Sequence, residues 1–250
     1  MLTGSATPHV ELNAAAYRDL VSAQGFVSCR ILEGETDMLV CSPRPCAAEA
    51  RQYVHAVRQQ VVDYIAAVPH FRHSLAPLPD DPGAPTVVRR MLRAGIAAGV
   101  GPMAAVAGAI AHTVGERLAR QVGEVTAENG GDVFLRTDGP QHFCIVAETS
   151  PAPLVHIRVE EDEPGSGMGV CTSSGRLGHS FSYGNADAVT IVAPDTALAD
   201  ALATAAANRV CAVGDIPGVL GWALERGASG IVIVAFGQVA AQGAIRFCHA

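Results

Sequence analysis

The chain has 250 residues, enough for one large domain or two small ones around a shared core. Hydrophobic residues make up 49% and charged ones 16%, so most of the chain must pack rather than sit in solvent. The formal charge is -7 and no Lys occurs, which excludes a Schiff-base lysine and a Walker-type phosphate lysine; with no basic cluster either, a nucleic-acid partner is not expected.

The first residues, MLTGSATPHVELN, carry neither a basic n-region nor an apolar h-region, so no secretory signal is read there. Strands are expected at 26–32 and 36–41, joined by a Glu33-Gly34-Glu35 turn. A helix follows over 47–68, with Ala50, Val54, Val57, Val61, Ile65 and Val68 on one face, and Pro69 stops it. Residues 69–85 hold five prolines and read as a loop. Helices over 86–98 and 102–121 come next, with Pro102 suited to a first helical turn. Met103, Val106, Ile110, Val114 and Leu118 form the apolar stripe of the second. Ala104, Gly108, Ala111 and Gly115 make a second face, small enough for a neighbouring backbone to approach closely. Ala94 to Ala111 is uncharged, but its Gly, Ala and central Pro102 favour a buried helix pair over a membrane span.

Beyond residue 132 short strands dominate, at 132–136, 143–148, 154–160 and 188–193. Helices over 196–211 and 217–226 and strands over 230–236 and 239–247 complete the chain. Runs of strands with hairpin-length connections, and helices between them, point to an α+β fold with mainly antiparallel sheets and packed helices. No linker divides the chain, so residues 1–250 read as a single domain. Seven scattered cysteines without a Cys-x-x-Cys read as reduced thiols of a cytoplasmic protein, with no disulfide among them.

Three stretches could carry chemistry. Asn129-Gly130-Gly131-Asp132 sits between a helix and a strand; its glycines can take positive φ and bring backbone N–H groups to a ligand, although an ordinary tight turn has the same composition. Gly169 to Asp187 is dense in Gly, Ser and Thr and contains Cys171 and His179, which suits a loop lining a wet cleft. A Ser-His-Asp triad within it is not supported, since Gly-x-Ser-x-Gly is missing; Cys171 is the better nucleophile if His179 lowers its pKa, and would then alkylate ahead of the other thiols, against the alternative of a Cys packed in a strand. Asp200 and Thr204 are four apart and so share one helix face, where a carboxylate and a hydroxyl can hold a hard cation such as Mg²⁺. By itself the pair also reads as an acid at a helix start and a Thr bonded back to a carbonyl. Gly99-Val100-Gly101-Pro102-Met103-Ala104 fits Gly-x-Gly-x-x-Ala, but a helix pattern precedes it where a dinucleotide-binding unit needs a strand.

In this order the three stretches resemble the ApbE superfamily, the FAD:protein FMN transferases, over about residues 100–250. The counterparts are Asn129 to Asp132, Thr172-Ser173-Ser174-Gly175, His179, the strand at 188–193, and Ala199-Asp200-Ala201-Leu202-Ala203-Thr204-Ala205. The chain is still more similar to an ApbE-like branch of unknown function. The resemblance implies Asp200 and Thr204 as Mg²⁺ ligands. It implies a flavin nucleotide, FAD or FMN, bordered by Asn129, Gly130, Gly131, Asp132 and the Thr172 to Gly175 loop. It departs from the transferases in lacking their Asp-Pro after His179 and their Lys-Gly pair. The function it implies is Mg-dependent binding, transfer or pyrophosphate cleavage of a flavin nucleotide. The alternatives are a sulfur-handling protein of homocysteine synthesis using Cys171, and a non-catalytic ligand-binding protein of the same fold. A small molecule is the expected partner, with neither nucleic acid nor membrane, and a homo-oligomer stays open.

Overall fold

A computed structural model describes residues 25–147, 154–159, 165–173 and 184–248. The chain opens with the hairpin β1 (Val27–Glu33) and β2 (Thr36–Ser42), then α1 (Ala47–Ala67), the short α2 (His70–His73) and α3 (Thr86–Ala98). A 3-10 turn at Pro102–Ala105 leads into α4 (Val106–Val122). Strands β3 (Val125–Asn129), β4 (Asp132–Arg136), β5 (Gln141–Val146), β6 (Leu154–Val159), β7 (Met168–Ser173) and β8 (Ala188–Ala193) follow. The chain continues with α5 (Thr196–Arg209), α6 (Ile216–Leu224), β9 (Gly230–Ala235), β10 (Gln238–Gly243) and β11 (Arg246–Phe247).

Eight strands form one antiparallel sheet in the order β1-β2-β3-β4-β7-β8-β9-β10, and β11-β6-β5 form a second, also antiparallel. The α+β architecture with mainly antiparallel sheets is therefore present. The large sheet is the middle of three layers. Along β8 and β9, Val189, Ile191, Ala193, Ile231, Ile233 and Ala235 face a core shared with α1, α3, α4 and α5. Ala188, Val192, Val232 and Val234 face the small sheet, where Ile145, Val155, Ile157 and Val159 meet them. Strands covered on both faces have no need of alternating polarity, which explains continuous apolar runs such as Ile231-Val232-Ile233-Val234.

Two short strands depart from the sequence reading. Residues 125–129 form β3, so the Asn129 to Asp132 turn joins two strands rather than a helix and a strand. Gly169 to Ser173, read as loop, is a buried central strand. Gly169 is required there because a side chain would collide with the backbone of Thr196. The small face expected on α4 has its close neighbours: Gly108 lies against Thr196 and Asp200, and Gly115 against the Phe134 ring.

Among the described residues no single helix is long and apolar enough to cross a membrane. Only α3 and the segment Pro102–Val122 together reach that length and apolarity, and the chain turns by 108° between them.

Candidate functional site

The site is assembled where the β3–β4 hairpin, β7 and the starts of α4 and α5 converge. Gly130 and Gly131 have φ of 66° and 100°, the two successive positive values that a two-residue hairpin turn of right-handed twist demands. The turn is held by its neighbours: the Gly131 N–H donates to Glu128 Oε1 at 2.6 Å, and Asn129 Nδ2 donates to the Ala107 carbonyl at 3.1 Å. Among the described residues nothing lies within 4 Å of where a side chain would stand on either glycine.

Strand alternation then selects which side chains meet. Asp132 pairs with Asn129 across the hairpin and with Cys171 on β7. Phe134 and Cys171 belong to the core on the helical side, and in the strand period Asp132 and Ser173 share that side with them. Thr172 does not join them. Its hydroxyl meets Thr190 Oγ1 at 2.8 Å across the β7–β8 pair, on the opposite face of the sheet. A one-residue offset along a strand is enough to remove it from the cluster.

From α5, Asp200 reaches the same place. Its carboxylate accepts the Gly108 N–H at 2.9 Å and that of Ala107, both in the first turn of α4. Donors at a helix start favour a carboxylate, but burial prevails and raises Asp200 to about 7. Asp132 stands well above the usual carboxylate range, first because it is buried and then because the Asp200 charge is close; a hydrogen bond with Cys171 acts the other way. Thr204, one turn further along α5, is half-buried. Among the described residues no group of three or more His, Cys, Asp or Glu is arranged to hold a metal. Two carboxylates in electrostatic reach do suit Mg²⁺, which is commonly held by one or two protein carboxylates, with phosphate oxygens and water completing its octahedron. A buried hydroxyl, Ser173 Oγ, has no hydrogen-bond partner among the described residues and ends β7 on the helical side.

Cys171 is fully buried, and its thiol lies between the Asp132 carboxyl and the Thr196 carbonyl, with Sγ 3.4 Å from the latter. Burial and then the neighbouring Asp132 and Asp200 raise its pKa well above that of a free thiol. A nucleophilic cysteine needs the opposite environment, cationic and partly exposed, so the expectation of a reactive thiol meets a packed, acid-flanked one. All seven cysteines are free, as expected. Ser174, Gly175 and His179 lie outside the described residues.

One buried residue with a defined task had no sequence signal beyond its place on an apolar helix. His112 Nδ1 accepts the Thr196 N–H at 3.1 Å, and the Thr196 hydroxyl lies 3.2 Å from the same nitrogen. Because a backbone N–H can only donate, Nδ1 must be unprotonated and the ring neutral. Asp195 Oδ1 accepts from Ala197 and Leu198, so the first three N–H groups of α5 all end on side chains.

A family model described as "AbpE bacteria" matches residues 18–217. Proteins named UPF0280 protein are similar in sequence. The one from Methanosphaerula palustris is 44% identical over 163 residues, 64% of this chain and 68% of its own. That from Methanocella arvoryzae is 38% identical over 183 residues, 73% and 74% of the two chains. That from Methanococcus aeolicus is 39% identical over 162 residues; there the match covers 64% of this chain and 65% of the relative, just under two thirds of its length. Among solved structures, the flavin transferase ApbE from Vibrio cholerae superposes with a TM-score of 0.59 at 11% identity, over 87% of this chain and 96% of that one. The ApbE protein from Thermotoga maritima gives 0.54 at 14% identity, over 88% and 97%. At such identities the likeness is one of fold.

Proposed function

The chain belongs to the AbpE bacteria family, an ApbE-like branch of unknown function, and from that premise we propose that it binds a flavin nucleotide with Mg²⁺ beside Asp132 and Asp200. The observation that carries the reading is the placement of two carboxylates from separate elements within each other's field in a buried setting. Such a pair is stable only with a shared proton or a shared cation. Asp132 and Asp200 would together hold a hard dication, which would relieve their repulsion and supply charge neutralisation for a pyrophosphate.

The chain's own residues have separable roles in this reading. Asp200 is oriented by the Gly108 and Ala107 N–H groups, so one oxygen is fixed while the carboxylate keeps lone pairs for a ligand. Asn129 is anchored through its Nδ2, leaving its amide oxygen to accept from a nucleotide. The exposed Gly130 and the half-exposed Gly131 leave the hairpin end free of side chains. Ser173 Oγ is a sheltered hydroxyl without a partner among the described residues. Thr204, Ser174, Gly175 and His179 complete the proposed set, with His179 as the acid–base group of a transfer or pyrophosphate-cleaving step. The V. cholerae neighbour is named a flavin transferase, and the fold it shares with this chain supports the nucleotide class.

Calorimetry with FAD, FMN and ADP, each with and without Mg²⁺, tests the proposal. Binding should require or strengthen with Mg²⁺, and that dependence should vanish in Asp200→Asn, which keeps an acceptor for Gly108. Absence of binding by all three nucleotides overturns it. The burial of Cys171 leaves the sulfur-handling alternative without a supporting observation.

A further inference from the structure

A cavity of about 460 Å³ opens between α3 and the beginning of α5, lined among others by Arg89, Arg90, Arg93, Asp195 and Leu198. It lies on a different side of α5 from the carboxylate pair. At 3.6 residues per turn, Leu198 and Asp200 are about 200° apart around the helix. Asp200 is turned to α4, whereas Leu198 and Asp195 border the cavity.

Charge at this cavity is unevenly matched. Asp80 serves two guanidiniums at once, Arg93 at 3.1 Å and Arg89 at 3.7 Å. Glu116 is likewise divided, with Arg90 and Arg120 each at 3.0 Å. Asp195 has its Oδ1 on the α5 N–H groups and its Oδ2 on Arg90. Among the lining residues three guanidiniums, Arg89, Arg90 and Arg93, therefore face one carboxylate, Asp195, in a chain whose overall charge is -7. The Nε atoms of Arg89 and Arg90 are shut off from solvent and have no hydrogen-bond partner among the described residues. Closed to water, these two atoms are closed to a ligand as well, so the groups that can meet one are the partly exposed guanidinium ends of Arg89 and Arg93, and an oxyanion is the acceptor that a guanidinium fork fits best. The volume is that of a small-molecule site.

We propose that this cavity is a second binding site, separate from the Asp132–Asp200 pair, that takes the phosphate or carboxylate group of a small metabolite on Arg89 and Arg93. Arg90, tied to Asp195 and Glu116, is a fixed part of the wall beside them.

The test is calorimetric titration of the full chain at low ionic strength with inorganic phosphate and, separately, with succinate. At least one should saturate with a Kd of about 1 mM or tighter. Phosphate alone identifies a phosphate ester, succinate alone a carboxylate. The Arg89→Gln/Arg93→Gln double variant should bind about tenfold or more weakly, the scale of losing a charge-assisted hydrogen bond. Both side chains are partly exposed, 33% and 61%, so an unchanged thermal midpoint is expected as the check on folding. Nucleotide and Mg²⁺ binding should be the same in wild type and double variant. Equal affinity in the two proteins, or no saturation by either probe up to about 10 mM, overturns the proposal. So does a parallel loss of nucleotide binding, which would merge the two sites.

Discussion

Replacing His112 by Gln should alter the pH dependence of stability in a defined window. Burial holds His112 down at about 4 from an ordinary value of 6.5, with the Asp195 and Glu116 charges raising it and Arg90 lowering it. The geometry explains the direction: the one lone pair on Nδ1 faces the Thr196 N–H, and a proton there would set two donors against each other. The folded pKa lies below the unfolded one, so the unfolded chain binds more protons between the two values. His112 therefore contributes its full stability above pH about 6.5 and loses it as pH falls toward 4. The gap between 6.5 and about 4 converts, at about 1.36 kcal/mol per pH unit, to about 3 kcal/mol.

The pH profile of the native chain alone will not show this. Asp200, raised to about 7 from 3.8, acts with the opposite sign: it takes up protons in the folded state, so stability falls as pH rises through that range. The difference between wild type and His112→Gln cancels the Asp200 contribution and isolates the imidazole. Urea unfolding at half-unit steps from pH 4 to 8 should give an advantage to wild type that is largest above pH 6.5 and shrinks by about 3 kcal/mol at pH 4. A difference that stays flat across the series would refute the neutral, N–H-accepting role.

Mg²⁺ binding to the Asp132–Asp200 pair should weaken at least about tenfold per pH unit below 7, since protons must leave the raised Asp200 and Asp132, and a calorimetric series on the native chain from about pH 6 to 8 measures that slope. Mild alkylation followed by mass spectrometry should label the exposed Cys144 and Cys211 long before the buried Cys171; early labelling of Cys171 would reopen its case as a nucleophile. Gly115→Ala should lower stability by about 1–3 kcal/mol, because the added methyl falls on the buried Phe134 ring, and thermal unfolding of the variant measures it.

What the sequence disclosed and what it withheld divide along a physical line. The long helices were legible from their apolar spacing, whereas the short α2 (His70–His73) falls in the proline-rich stretch read as a loop; the small face of α4 was legible as a place of close approach, which Thr196, Asp200 and Phe134 indeed make. Strand β7 was hidden because Gly169, Thr172 and Ser173 have loop-like composition, while the reason for Gly169 is a helix backbone from another part of the chain. Likewise His112 has a task only through Thr196, 84 positions away, and nothing local distinguishes it from a packed histidine. Asp200 is the instructive case. Its spacing from Thr204 is equally that of a solvated helix start, and its bonds to Gly108 and Ala107 are those of a cap for α4. A cap alone, however, leaves an acid with a lowered pKa, because the helix start stabilises the charged form. Asp200 is raised in spite of its two donors, and it raises Asp132 in turn. A carboxylate spent only on capping would gain nothing from burial beside a second acid, and that excess is the part of its placement a cation would account for.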